Sequence, residues 1–201
     1  RVQLPVRAGQ GGRAQRWDLG DEGAGGWTLG AEPRGPGGGP GGRMGPGGAD
    51  GSAGATGRGL IVRNRRFLPA GVFGRLLAEG GPLPPHLLSP PLEVEASRIC
   101  GLELRLAMPD RVQEPGGRSD FLVPGGRFAL VAWTAKAEFD GGFDRLLMVP
   151  LSAFPGEQTA SIRLENAPSW LSSGTVRRLA VVPSNLPGEV DLLSVALTPC
   201  L

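Results

Sequence analysis

Residue types able to do chemistry are sparse in this chain. Among its 201 residues are one histidine, His86, two cysteines, Cys100 and Cys200, and four tryptophans. A hydrolase needs a general acid and base, or a nucleophile held by its base. His86 lies in the proline-rich stretch Leu83-Pro84-Pro85-His86 with no nucleophile or carboxylate pattern beside it. It reads as a solvent-facing residue without a role. The Asp and Glu residues are scattered over turns and strand edges rather than paired across a mouth. No GxSxG, HExxH, CxxC or DxDxDG motif occurs, and the cysteines lack metal-ligand spacing. The expectation is a chain with no catalytic residue, no metal and no cofactor.

What remains for function is surface. Trp133 and Trp170, with Arg105, Arg163 and Glu165, form the candidate ligand-binding set. An indole face stacks on the CH groups of a pyranose ring while a few polar groups fix its orientation. The competing reading leaves both indoles out of ligand contact, and Trp170 follows a proline in a turn before Gly174.

Composition removes several partner classes. The formal net charge is +2, acids and bases are interspersed, and Lys136 is the one lysine against 20 arginines. No basic stripe offers the counterion release that binding a phosphate backbone needs, so nucleic acid is not expected. No run of about 18 apolar residues exists, so no membrane span is expected. The chain begins with Arg1 and shows no charged start followed by an apolar stretch, so any signal peptide is expected to be absent or to lie outside it.

The elements that would position these residues are short strands. Phe128 to Trp133 is a continuous apolar run of the length of a buried sandwich strand. Leu102, Leu104 and Leu106 alternate with Glu103 and Arg105, which predicts a strand with one solvated face and an ordinary ion pair on it. Asp140-Gly141-Gly142 predicts a hairpin tip, and Leu146 to Leu151 a returning strand. Ile162 and Leu164, Val176 to Val182, and Val190 to Leu197 predict three more strands, separated by turns at Pro168 to Gly174 and Asn185 to Gly188. Residues 33–59 hold 13 of the 35 glycines. That tract is too poor in apolar residues to offset ordering entropy, so it reads as a flexible insertion that cannot be a strand. Apolar residues from Phe67 to Leu77 recur near helical spacing and predict one short helix. In the last strand the apolar phase changes between Leu192 and Val195. A β-bulge at Leu193-Ser194 would point Val190, Leu192, Val195 and Leu197 all inward, and the alternative is a strand buried on both faces, which needs no bulge; Asp191 and Ser194, hard to bury unpaired, favour the bulge.

A family resemblance rests on Trp170, Gly174-Thr175-Val176, Arg178-Leu179, Pro183, Asn185, Pro187-Gly188, Val190, Leu192, Ser194-Val195 and Leu197. In this order they resemble the C-terminal half of galactose-binding-like jelly-roll domains, the fold of many bacterial carbohydrate-binding modules. The strand Trp17-Asp18-Leu19, the acidic glycine turn after it and Trp27 resemble the opening of the same group; both indoles read as core because aromatic side chains of this size are normally buried in a domain that has few of them. Leu60-Ile61-Val62, the block from Pro91 to Leu106 and the tip at Asp140 resemble further elements. Glu95 stands where the group has Asp, and Ile99 where it has an aromatic, which thins any stacking surface there.

The resemblance implies an all-β jelly-roll sandwich of two antiparallel sheets over residues 17–201, interrupted by the loop 33–59, with residues 1–16 a tail or edge strand. It implies a non-catalytic carbohydrate-binding or accessory module of a larger bacterial glycan-related protein. Polysaccharide or glycan and other domains of the same chain would be its partners, at the cell envelope or outside the cell. The rival reading is an assembly domain that contacts protein only. All four tryptophans buried, with an apolar sheet face exposed, would favour that rival. Terminal strands of jelly rolls are often neighbours, which leaves Cys100 and Cys200 two states. They are paired, or they are free thiols buried as small hydrophobes, as lone cysteines usually are.

Overall fold

The computed structural model describes residues 14–20, 24–30, 53–55, 59–64, 83–108, 127–152 and 154–200. Two antiparallel sheets face each other. The first runs β10 (Gly156–Arg163), β7 (Ile99–Met108), β13 (Gly188–Pro199), β4 (Leu60–Asn64), β3 (Ala53–Ala55), and β1 (Gln15–Asp18) pairs the second half of β13. The second runs β2 (Thr28–Gly30), β5 (His86–Leu88), β12 (Arg178–Val182), β8 (Phe128–Thr134), β9 (Arg145–Pro150). A ribbon of β6 (Val94–Glu95) and β11 (Thr175–Val176) and one short helix, α1 (Pro168–Leu171), complete the described fold. This is the all-β sandwich that the strand and turn pattern implies. No helix among the described residues is long and apolar enough to cross a membrane.

The core lies where the inward residues of both sheets meet. Leu102, Leu104 and Leu106 of β7 pack with Val131 and Trp133 of β8 and Leu179 and Val181 of β12 in one cluster. Alternation in β7 turns Glu103 and Arg105 to the opposite face. The ion pair of Arg105 is made across to Glu157 of β10. In β8 every residue is buried, because its outward side chains Phe128, Leu130 and Ala132 are also covered. Burial on both faces is what an unbroken apolar run specifies.

The bulge forms where the phase of β13 requires it. Leu192 pairs Leu106 and Ser194 pairs Arg105, so Leu193 is the extra residue. Val190, Leu192, Val195 and Leu197 are all buried as a result. The Leu193 carbonyl accepts from the Leu19 N–H at 2.8 Å, so the bulged strand continues to hold the N-terminal segment that carries Trp17.

Three expectations change or go untested. Cys100 and Cys200 are joined by a disulfide with Cα atoms 4.9 Å apart, so the free-thiol reading gives way. The β7–β13 ladder brings them together: Thr198 pairs Gly101, Pro199 pairs Ile99, and the Cys200 N–H reaches the Arg98 carbonyl. Within the glycine tract, Ala53–Ala55 is an edge strand on β4, because backbone pairing requires no apolar side chain. The remainder of that tract, the helix expected between Phe67 and Leu77, and residues 1–13 lie outside the described residues.

Candidate functional site

Trp133 and Trp170 do not form a platform. Each is 1% exposed, and the two rings meet edge to face with centroids 5.2 Å apart. Trp170 is carried on α1, opened by Pro168 at its first turn, and its indole N–H donates to the Ala96 carbonyl at 2.9 Å. The Trp133 N–H donates to Ser173 Oγ at 2.7 Å. Each indole therefore has its apolar surface in the core and its one donor satisfied inside, which leaves nothing for a ligand. Arg105 is exposed on β7 and Arg163 on the edge strand β10, and Glu165 is exposed in the turn after β10. The candidate set is thus split between the core and the outside of the first sheet.

The fourth indole is placed differently. Trp27 is 4% exposed and packs edge to face on Trp17 at 5.8 Å, but Trp17 itself is only partly buried. It stands in the wall of an open cleft of about 900 Å³ at the edge where β1 of one sheet approaches β2 of the other. Gly25 makes room for it. This glycine has φ +57°, and a Cβ there would lie 3.2 Å from Trp17 Cδ1. Gly26, Pro90, Pro91, Thr28, Gln15, Arg16, Glu93 and Arg178 also line the cleft. Gln15 Oε1 is buried with no hydrogen-bond partner.

The charges of the cleft are largely internal pairs. Arg16 donates to Asp18 at 2.9 Å, and Glu93 accepts from Arg177 at 3.2 Å. Arg178 donates to the Ser89 carbonyl at 2.7 Å and lies 5.7 Å from the centre of the Phe139 ring. Ser89 is itself fixed by β12: its N–H donates to the Leu179 carbonyl and its hydroxyl accepts from the Leu179 N–H. Trp17 was missed as a site residue because aromatic side chains of its size are normally buried in a domain that has few of them. The sequence signal that places it at an edge is its position between two charged residues, Arg16 and Asp18.

His86 is not solvent-facing. It is 7% exposed in β5, with Nδ1 2.9 Å from the Pro84 carbonyl and the ring edge-on to Phe143. Its partner across the ladder is Gly30, where a Cβ would fall 1.9 Å from Nε2. Burial disfavours the imidazolium and lowers the pKa, with the Pro84 hydrogen bond opposing. The Nδ1 contact requires that nitrogen to carry the proton, so His86 is a neutral core residue.

No family model matches this chain, and no curated protein does. Solved structures with a similar fold include a xylan-binding module CBM15, with 11% identity and TM-score 0.48 over 94% of this chain and 98% of that one. The C-terminal CBM6 of LamC, a marine laminarinase from Zobellia galactanivorans, has 11% identity and TM-score 0.38, over 92% and 99%. A cleaved adhesin domain of Lys-gingipain from Porphyromonas gingivalis has 13% identity and TM-score 0.41, over 94% and 100%.

Proposed function

We propose that this chain is a non-catalytic carbohydrate-binding β-sandwich module, and that its glycan lies in the cleft against Trp17. The observation that carries the reading is the placement of that indole. Three tryptophans are buried, while the fourth stands at the rim of an open cleft among groups that can hydrogen-bond a sugar: Gln15, Thr28, Glu93 and Arg178. Aromatic face plus a few polar anchors is the arrangement a pyranose requires. Arg105, Arg163 and Glu165 lie apart from the cleft and are left out of this site.

The assembly reading asks for an exposed apolar sheet face. The second sheet does have apolar residues outward, but Leu130, Ala132, Ala180 and Val182 are each 1% exposed, so that surface is already covered. The Cys100–Cys200 bridge supports a protein that matures in an oxidising compartment, as a module working at or beyond the cell envelope would. A glycan array probed with the full chain and with Trp17→Ala tests the reading. Signal on glycans that disappears in the variant supports it, and an array without signal, or with signal indifferent to Trp17, contradicts it.

A further inference from the structure

Among the described residues, Arg178 is the cation of the cleft that no carboxylate answers. Arg16 is neutralised by Asp18 and Glu93 by Arg177, so these four charges cancel. Arg178 has a carbonyl and an aromatic ring as its neighbours, uses one N–H on Ser89, and is partly buried. Removing a guanidinium from water without a counter-charge disfavours its charged form, and its pKa is lowered for that cause. The group nevertheless stays protonated at any ordinary pH and keeps N–H donors in a planar fork suited to a carboxylate. Phe139 behind the fork and the Ser89 carbonyl at one end limit its orientation, so little rotamer freedom is lost when an anion arrives.

From this geometry we propose that the glycan is acidic, with a uronate carboxylate received by Arg178 while Trp17 carries a sugar face. The inference rests on the reading of the cleft as a glycan site and adds the ligand's charge to it. A neutral sugar would leave the guanidinium as it is, half desolvated and without a counter-charge. A uronate supplies the missing charge and two acceptor oxygens to the fork.

The test uses the full chain in calorimetric titrations. Oligogalacturonate, alginate oligomers and glucuronoxylan oligomers are each compared with their carboxyl-reduced, neutral counterparts of the same length. At least one acid should bind ten-fold or more tightly than its neutral counterpart. Raising ionic strength should erase that preference, because a partly exposed charge pair is screened. Arg178→Met should bring the acid down to the neutral level, and continued binding of the neutral oligomer reports that the variant is folded. Arg178→Lys, which keeps the charge and loses the fork, should retain part of the preference.

Equal affinity for acid and neutral oligomers, a preference indifferent to salt, or one that survives in Arg178→Met overturns the acidic ligand. In those cases the glycan reading stands as long as Trp17→Ala still weakens binding about 30-fold. Failure of every oligomer in both series overturns the two together.

Discussion

Reducing the Cys100–Cys200 bond should cost this domain more than any single surface change. The bridge spans 100 residues of sequence, joining the start of β7 to the residue after β13. In the chain-entropy treatment, closing a loop of that length lowers the entropy of the unfolded chain by about 16 cal/mol/K, or about 4.7 kcal/mol at 25 °C. A domain of this size loses ~2–4 °C of melting temperature per kcal/mol, so removal of the bond should lower Tm by roughly 9–19 °C. The native ladder does not depend on the bond, since β7 and β13 pair from Ile99 and Pro199 inward through backbone hydrogen bonds. The reduced protein should therefore remain folded at room temperature with an unchanged far-ultraviolet spectrum. Thermal melts of the full chain with and without reductant, and of a Cys100→Ser, Cys200→Ser variant, measure the shift by two routes. A drop smaller than about 3 °C by both would show that the unfolded chain is not what the bond restrains.

Other consequences follow from the core and the buried histidine. Trp170→Ala removes a fully buried indole and one of the two hydrogen bonds to the Ala96 carbonyl, so it should destabilise by ~3–5 kcal/mol in denaturant titration. Retention of wild-type stability would mean the ring is not core. Val195→Asp puts an unpaired charge on the inward side of the bulged strand and should abolish cooperative unfolding, whereas a folded variant would contradict the register. Because burial lowers the His86 pKa, the unfolded chain takes up a proton there first as pH falls. The His86 contribution is complete above the unfolded value near 6.5 and is lost as pH falls through the lower folded pKa. Melting temperature should decline as pH falls below about 6.5, and His86→Asn should flatten that part of the profile; parallel profiles would remove His86 from the account. Gly30→Ala should disrupt the β2–β5 edge, since its Cβ would fall 1.9 Å from His86 Nε2, and unchanged stability would count against the close approach.

What the sequence shows well is local and periodic. The apolar run of β8 and the phase change of β13 were legible because side-chain alternation along a strand is a property of the strand alone. The outcome for the tryptophans depends on what lies opposite. Trp133 and Trp170 are distant in sequence, and only the meeting of β8 with α1 brings their rings together and closes them off. Two prolines before His86 read as a loop, yet the next three residues are a strand held between β2 and β12, which buries the ring. Ala53–Ala55 was illegible for another reason. Its pairing with β4 rests on backbone groups, to which composition is blind. The disulfide required the β7–β13 register, which no spacing between two cysteines discloses.

Titration of the full chain and of Trp17→Ala with a glycan that binds addresses the central claim most directly. An indole covering about 80–100 Å² of sugar surface contributes ~2 kcal/mol at about 25 cal/mol/Å². The variant should accordingly bind about 30-fold more weakly, with a cooperative melt kept at a lowered melting temperature, because Trp17 is only partly buried but packs against the core and Trp27. Wild-type affinity in Trp17→Ala would contradict the account, since the cleft would then not be where the glycan lies.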